Sequence, residues 1–284
     1  MRHIIFLIVI GIYCEGQAQR NAKDYAFINI GFHSVVAGVG AVINKKEGEK
    51  TGRTFIKGLL GGAAGGSLMY SGKLLTGNIS KENTLGYAWP GKIIYSAGNS
   101  IMENAAMNRP VLSQFHMNIG IVRLGYDFTK SKINAKVLPL TTIITAYIAT
   151  QSKFEAVKSL CSGEIIFSSN KFNSLDLDFR GFTVGNVVVL HSNYAQNYQT
   201  IGHEIIHTFQ NNDFNFTNAW ILTLADKNNF YRTTSKYLYY EFNTLLNQAA
   251  YWLQYRNDDG YYSNVFESEA AAFTHTFRNV SSGN

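Results

Sequence analysis

The stretch Gly202-His203-Glu204-Ile205-Ile206-His207-Thr208 constrains this chain more tightly than any other. An α-helix sets residues i and i+4 about 40° apart on one face, so a helix here would let His203 and His207 offer two imidazole nitrogens to one metal ion. Ile201, Ile205 and Phe209 repeat at i, i+4 and i+8 on the opposite side, while Thr200 and Gln210 accompany the histidines. The segment is therefore expected to be a helix with one face towards a core and the other towards a metal. Glu204 flanks that metal, where its carboxylate can serve as general base towards water activated by the ion. The chain has only seven histidines, so the pattern seldom arises by chance. No serine or cysteine nucleophile signature, phosphate loop or dinucleotide fingerprint accompanies it.

The N-terminus reads as a basic start, Met1-Arg2-His3, an uncharged run from Ile4 to Tyr13, and a small-residue site ending at Ala18. This predicts a signal peptide over residues 1–18, with Gly16 and Ala18 at the −3 and −1 positions of the cleavage site. The run is too short to span a bilayer, and Tyr13 stands where a lipid-modified Cys14 would need a small neighbour. Export to the periplasm, the outer membrane or the medium follows. Without the leader Cys161 is the only cysteine, so no internal disulfide is expected and stability must come from the core. The formal charge of +6 is scattered over residues such as Lys45, Lys46, Lys50, Arg53, Lys130 and Lys132. It is not interleaved with aromatics, which argues against a nucleic-acid partner and leaves an acidic membrane surface open.

Residues 19–112 form a glycine-rich, helical or β region. Val35 to Ile43 and Phe55 to Leu75 flank a charged turn, and Gly58, Gly61, Gly62, Gly65 and Gly66 would let two backbones approach closely. Lys57 and Lys73 bracket the second segment, so a buried helical hairpin with peripheral membrane association is expected rather than a spanning helix. Pro90 suits the first turn of a helix that runs through Met107 and ends before Pro110, and Glu103 on it has no partner that the sequence can name. In residues 113–284, Phe115 to Phe128 and Ile133 to Ala149 read as strand-rich runs joined at Thr129 to Lys132. Glu164 to Ser168 is a further strand, and Phe182 to Leu190 a strand leading into the histidine helix. An exposed strand there could hold an extended peptide. Tyr237-Leu238, Phe242, Leu245-Leu246, Ala249 and Leu253 repeat with helical period as a long amphipathic helix ended by Asn257 to Gly260. Val265 to Phe277 forms the last helix, burying Phe266, Ala270, Phe273 and Phe277. The fold class is α+β.

With this order of elements, residues 182–275 resemble the zincin metallopeptidases, in which an edge strand precedes the HExxH helix. The string Phe266-Glu267-Ser268-Glu269-Ala270 is similar to the helix that supplies the third zinc ligand in the glutamate-type members. The resemblance implies Zn2+ held by His203, His207 and a downstream glutamate, Glu204 as general base, and a peptide or protein substrate. It says nothing of the first half. Glu267 is preferred over Glu269 because Ala270-Ala271 follow on its side and match the Glu-x-x-Ala arrangement of the family. Two residues apart on a helix, the two glutamates point about 200° from each other, and Glu269 would serve as an acceptor behind a ligand or as a solvated charge.

Asp213 stands where metzincin-like sequences place their third ligand, although Gln210 replaces the glycine of their sharp turn. Asp226 lies near the spacing of some glutamate zincins but is one methylene shorter. Cys161 is similar to the upstream cysteine ligand of peptide deformylases, although a lone cysteine is more often a small buried hydrophobe. Glu241 reads as a solvated position. For stabilising a transition state His275 and the tyrosines Tyr239, Tyr240, Tyr261 and Tyr262 are available, whereas His33, His116 and His191 read as structural. The rival reading is a membrane-associated binding or assembly protein whose zincin-like region is non-catalytic. Glu204 argues against it, because a structural zinc site needs no general base.

Overall fold

Glycine decides how the first half packs. In the computed structural model, which describes residues 22–172, 180–255 and 264–276, three long helices come first: α1 (Ala22–Ile43), α2 (Thr51–Glu82) and α3 (Ala88–Ala106). The expected leader, the Asn257 to Gly260 turn, Tyr261, Tyr262 and Phe277 lie outside the described residues. α2 sits between its neighbours at backbone distance. A Cβ added at Gly62 would stand 2.8 Å from Ser34 Cα of α1, and one added at Gly65 would stand 2.6 Å from Gly98 O of α3. α1 is the one described helix long and apolar enough to cross a membrane, a test that core helices also pass, and its Asn29, His33 and Ala37 are buried.

A three-stranded antiparallel meander follows, β1 (Gln114–Ile119), β2 (Val122–Asp127) and β3 (Lys132–Val137). Asp127 shapes its second turn by accepting the backbone N–H groups of Thr129 and Lys130. The expected strand from Ile133 to Ala149 ends at Val137, and Pro139–Ala149 is a helix, α4. Proline in the first turn presets helical φ and lacks the N–H that a strand ladder needs. Thr142 and Thr145 donate their hydroxyls to carbonyls four residues back, which accommodates β-branched residues in the helix.

The second sheet holds β4 (Lys153–Phe154), β5 (Ile165–Ser169), β6 (Gly181–Val184) and β7 (Val187–His191) in the order β4-β5-β7-β6, with the short helix α5 (Ala156–Ser162) between β4 and β5. The single strand expected from Phe182 to Leu190 is a hairpin, because Gly185 takes φ +61 in the two-residue loop joining Val184 to Val187. β7 is therefore interior, parallel to β5, and β6 is the antiparallel edge. Ile166, Val188 and Leu190 face the main core, and Ile165, Phe167, Val187 and Val189 face Ile144 and Ile148 of α4. Both faces are covered, which is why these strands read as unbroken apolar runs.

The histidine stretch lies on α6 (Tyr198–Asp213), whose N-terminus is capped by Asn197 accepting the Thr200 N–H at 2.9 Å. Ile201, Ile205 and Phe209 join Met69 and Ile79 of α2 and the inner face of the second sheet in one core. α7 (Phe216–Ala225), α8 (Asn229–Thr234), α9 (Phe242–Tyr255) and α10 (Val265–Thr274) complete the chain. Tyr237 and Leu238 precede α9, where Leu238 bridges to Val137. The expected polarity of α9 is reversed: Leu245, Leu246, Trp252 and Leu253 are exposed, and Asn243, Thr244 and Asn247 are buried. The side of α6 that it meets is itself polar, and Asn243 donates to Asn211 O. Glu241, expected to be solvated, is buried and accepts the N–H and hydroxyl of Thr141.

Close helix packing makes a paired test. Gly65→Ala should lower stability by about 1–3 kcal/mol through overpacking. Gly31→Ala in α1, where nothing stands within 4 Å of the added methyl, should raise it by about 0.5–1 kcal/mol through helix propensity. Urea denaturation of the two variants beside the parent checks both signs.

Candidate metal centre

One turn of α6 places His203 and His207 side by side, and α10 crosses opposite them to bring in Glu267. Nε2 of His203 lies 3.1 Å from Nε2 of His207 and 3.1 Å from Glu267 Oε2, and Nε2 of His207 lies 3.4 Å from the same oxygen. Around a tetrahedral zinc with bonds of about 2.0–2.2 Å, donor atoms stand roughly 3.3–3.5 Å apart. The triangle found here has nearly those edges, so the donor set fits the ion. Among the described residues these three are the group of histidine and carboxylate donors whose atoms all fall within 4.8 Å of one another.

The rest of each side chain is held from behind. Gln210 Nε2 lies 2.8 Å from Phe266 O and 2.7 Å from Glu269 Oε2, two acceptors that fix its NH2 group there. Its Oε1 must then face His207 Nδ1 at 2.7 Å, so Nδ1 of His207 holds a proton and Nε2, whose own proton a metal would displace, faces the centre. His203 Nδ1 meets Thr276 Oγ1 at 3.2 Å. Tyr251 of α9 donates its hydroxyl to Glu267 Oε1 at 2.8 Å. Glu204 Oε2 accepts the Thr183 hydroxyl of β6 at 2.8 Å. A Cβ at Gly181 would stand 2.9 Å from Glu204 Oε1, so the lack of a side chain there lets the edge strand pass against this carboxylate.

The electrostatics favour a cation between these donors. Burial works against charge on His207, but the Glu267 carboxylate, its hydrogen bond and Glu204 outweigh it and raise the pKa to about 9. Burial pushes Glu267 upwards, yet the two histidines hold it well below the usual carboxylate range. Burial raises Glu204, and the histidines offset this only in part, as suits a proton acceptor.

Glu269 stands elsewhere, although it too is buried. Its Oε1 takes Asn29 Nδ2 at 2.6 Å and Lys73 Nζ at 3.0 Å, and Lys73 also meets Asp213 Oδ2 at 2.6 Å. α6 continues without a turn to Asp213, which lies in this network with Tyr95 and apart from the histidine cluster. Asp226 is exposed. Cys161 is exposed on α5 rather than buried. His275 is exposed at the left-handed cap of α10. Tyr239 and Tyr240 line a different cavity, and Glu103 finds Arg123 at 2.7 Å and His116 at 3.2 Å. Sequence reasoning passed over Tyr251, Thr183 and the bridging role of Gln210. Gln210 alone carried a signal, three residues after His207 and on its face.

Comparison of the chain with protein-family models, with curated proteins and with solved structures finds no match. The functional reading rests on the chemistry of the centre itself.

Two measurements test this geometry. In zinc titrations Glu267→Ala should weaken affinity by more than about 10³-fold, whereas Glu269→Gln should weaken it by about 10–100-fold, the usual effect of losing an outer partner. The pKa of His207, raised from 6.5 to about 9, stabilises the metal-free fold fully below pH 6.5, and this contribution is lost as pH rises through about 9. Zinc must displace that proton, so its apparent affinity should climb across the same window, with about one proton released, seen as a buffer-dependent heat of binding.

Proposed function

We propose that the chain is an exported, zinc-dependent metallopeptidase of the glutamate-type zincin class, hydrolysing peptide bonds in peptide or protein substrates. The observation that carries this reading is the triangle of His203, His207 and Glu267 donors with Glu204 beside it under an antiparallel edge strand. When bound, zinc would act as a Lewis acid that acidifies water and polarises the scissile carbonyl. Glu204 takes the proton from the attacking water, and Thr183 holds its carboxylate in position. Gln210, Thr276 and Tyr251 keep the donors oriented. Among the described residues β6 pairs with β7 on one side only, so its outer edge can hydrogen-bond an extended peptide and set the scissile bond over the site.

Export rests on the N-terminal leader pattern. Peripheral membrane association draws support from Ile56, Leu60, Leu68 and Leu74, exposed along one side of α2. The same stripe is what a non-catalytic assembly protein would use, but such a protein has no need of a buried Glu204 aimed beside the metal donors.

Glu204→Gln is the deciding variant. It should retain about one equivalent of zinc while hydrolysis of a broad peptide library falls by about 10²–10⁴-fold or more. Loss of zinc together with activity would overturn the role given to Glu204. A wild-type protein that holds zinc and cleaves nothing would overturn the enzymatic reading.

A further inference from the structure

A second polar cavity lies away from the histidines, between the β1–β3 meander and the segment from α8 to Tyr240. It encloses about 250 Å³, and none of the metal-centre residues lines it. Among the described residues three cations reach it, Arg109, Arg123 and Lys136, against one carboxylate, Glu103. Glu103 is already committed to Arg123 at 2.7 Å. Among the described residues the Arg109 guanidinium bonds only the neutral amide of Gln114, at 3.0 Å. The Lys136 ammonium has no hydrogen-bond or ion-pair partner among the described residues. Burial, and after it the Arg123 charge, pull its pKa down; Glu103 opposes this and Arg109 adds to it, and the lowering effects prevail. His116 cannot supply further charge, because burial and Arg123 hold its pKa well below the usual value.

The walls are aromatic. Tyr231 stacks on Tyr240 with ring centres 5.0 Å apart, and Arg123 lies 4.0 Å over the Tyr239 ring. Asn218 also lines the cavity. Its amide is buried and interacts with the Tyr239 hydroxyl, but among the described residues neither its nitrogen nor its oxygen makes a hydrogen bond of ordinary geometry. A buried amide whose contacts are this poor gains from a further hydrogen-bonding partner.

We propose that this cavity binds a small organic dianion, whose doubly charged phosphate or dicarboxylate head sits among Arg109, Arg123 and Lys136 and whose flat apolar body lies against the tyrosines. Two excess positive charges call for two negative ones. Arginine forks match planar carboxylate and tetrahedral phosphate alike, and tyrosine faces take a flat ring or chain at little entropic cost. Asn218 supplies a neutral hydrogen-bonding contact. This site is independent of the metal centre, and its failure would leave the peptidase reading untouched.

The test is calorimetric titration of the full chain at low ionic strength with phenyl phosphate, phthalate and inorganic phosphate. At least one of the two aryl dianions should bind saturably with one site per chain, and inorganic phosphate should bind more weakly because it has no body for the tyrosines. Preference for phenyl phosphate or phthalate tells which head the site takes. Lys136→Gln and Arg109→Gln should each weaken binding about tenfold or more. Both side chains are partly exposed, so the melting temperature and zinc content should stay at parental values. Absence of saturable binding by both aryl dianions, or unchanged affinity in Lys136→Gln, would overturn the proposal.

Discussion

Four helices meet at the Lys73 ammonium, which is completely buried in α2 and touches Asn29 of α1, Asp213 of α6 and Glu269 of α10. Apolar contact is non-directional and does not by itself set the rotation of one helix against another; a buried charge with three partners does. Taking such a charge out of water costs several kcal/mol, and the cost is offset only while both carboxylates keep their positions. Burial would neutralise Lys73, but Asp213 and Glu269 outweigh it and raise its pKa. The glycines of α2 make the arrangement reachable, because they let α1 and α3 close to backbone distance and leave the lysine no route to solvent. From Glu269 the order passes through Gln210 to His207, so this candidate metal donor takes its orientation from a charge two residues removed.

The two glutamates of α10 show how enclosure changes a helix. Residues two apart face away from each other, and on a surface helix one of them would point to water. α10 is hemmed in by α6 on one side and by α1 and α2 on the other, so Glu267 and Glu269 are both buried and both find cations or donors. Each carboxyl is held below its ordinary pKa against the effect of burial, Glu267 by the histidines and Glu269 chiefly by Lys73. Similar groups thus take separate places, one among the candidate metal donors and one as a counterion.

Against α9, α6 presents a different surface. Asn211 of α6 and Asn243, Thr244 and Asn247 of α9 are buried, and among the described residues each has at least one side-chain atom without a hydrogen-bond partner. This seam is polar where the other faces of α6 are apolar or ionic. Tyr251, which reaches the Glu267 carboxylate, is carried by the helix held through that seam.

What the sequence determined by itself was local. Helical spacing fixed the face shared by His203 and His207, the Ile201, Ile205 and Phe209 stripe opposite it, and the helix opened near Pro90. The glycine pattern announced close packing, and the order of Glu267 and the two alanines pointed to the glutamate now found beside the histidines. These features repeat every three or four residues, and backbone geometry alone relates them. Tertiary structure decided whatever depends on a partner far away in the chain. Lys73 and Asp213 are 140 positions apart, and Asn29 and Glu269 are 240 apart. Apolar residues at Leu245, Leu246 and Leu253 could not declare that their helix would meet a polar neighbour and turn them outwards. Thr141 to Thr145 have strand-like side chains, yet Pro139 and the covering of the second sheet made them a helix. A one-dimensional pattern records which faces a segment has. Which face is buried depends on the chemistry of the surface that arrives to cover it.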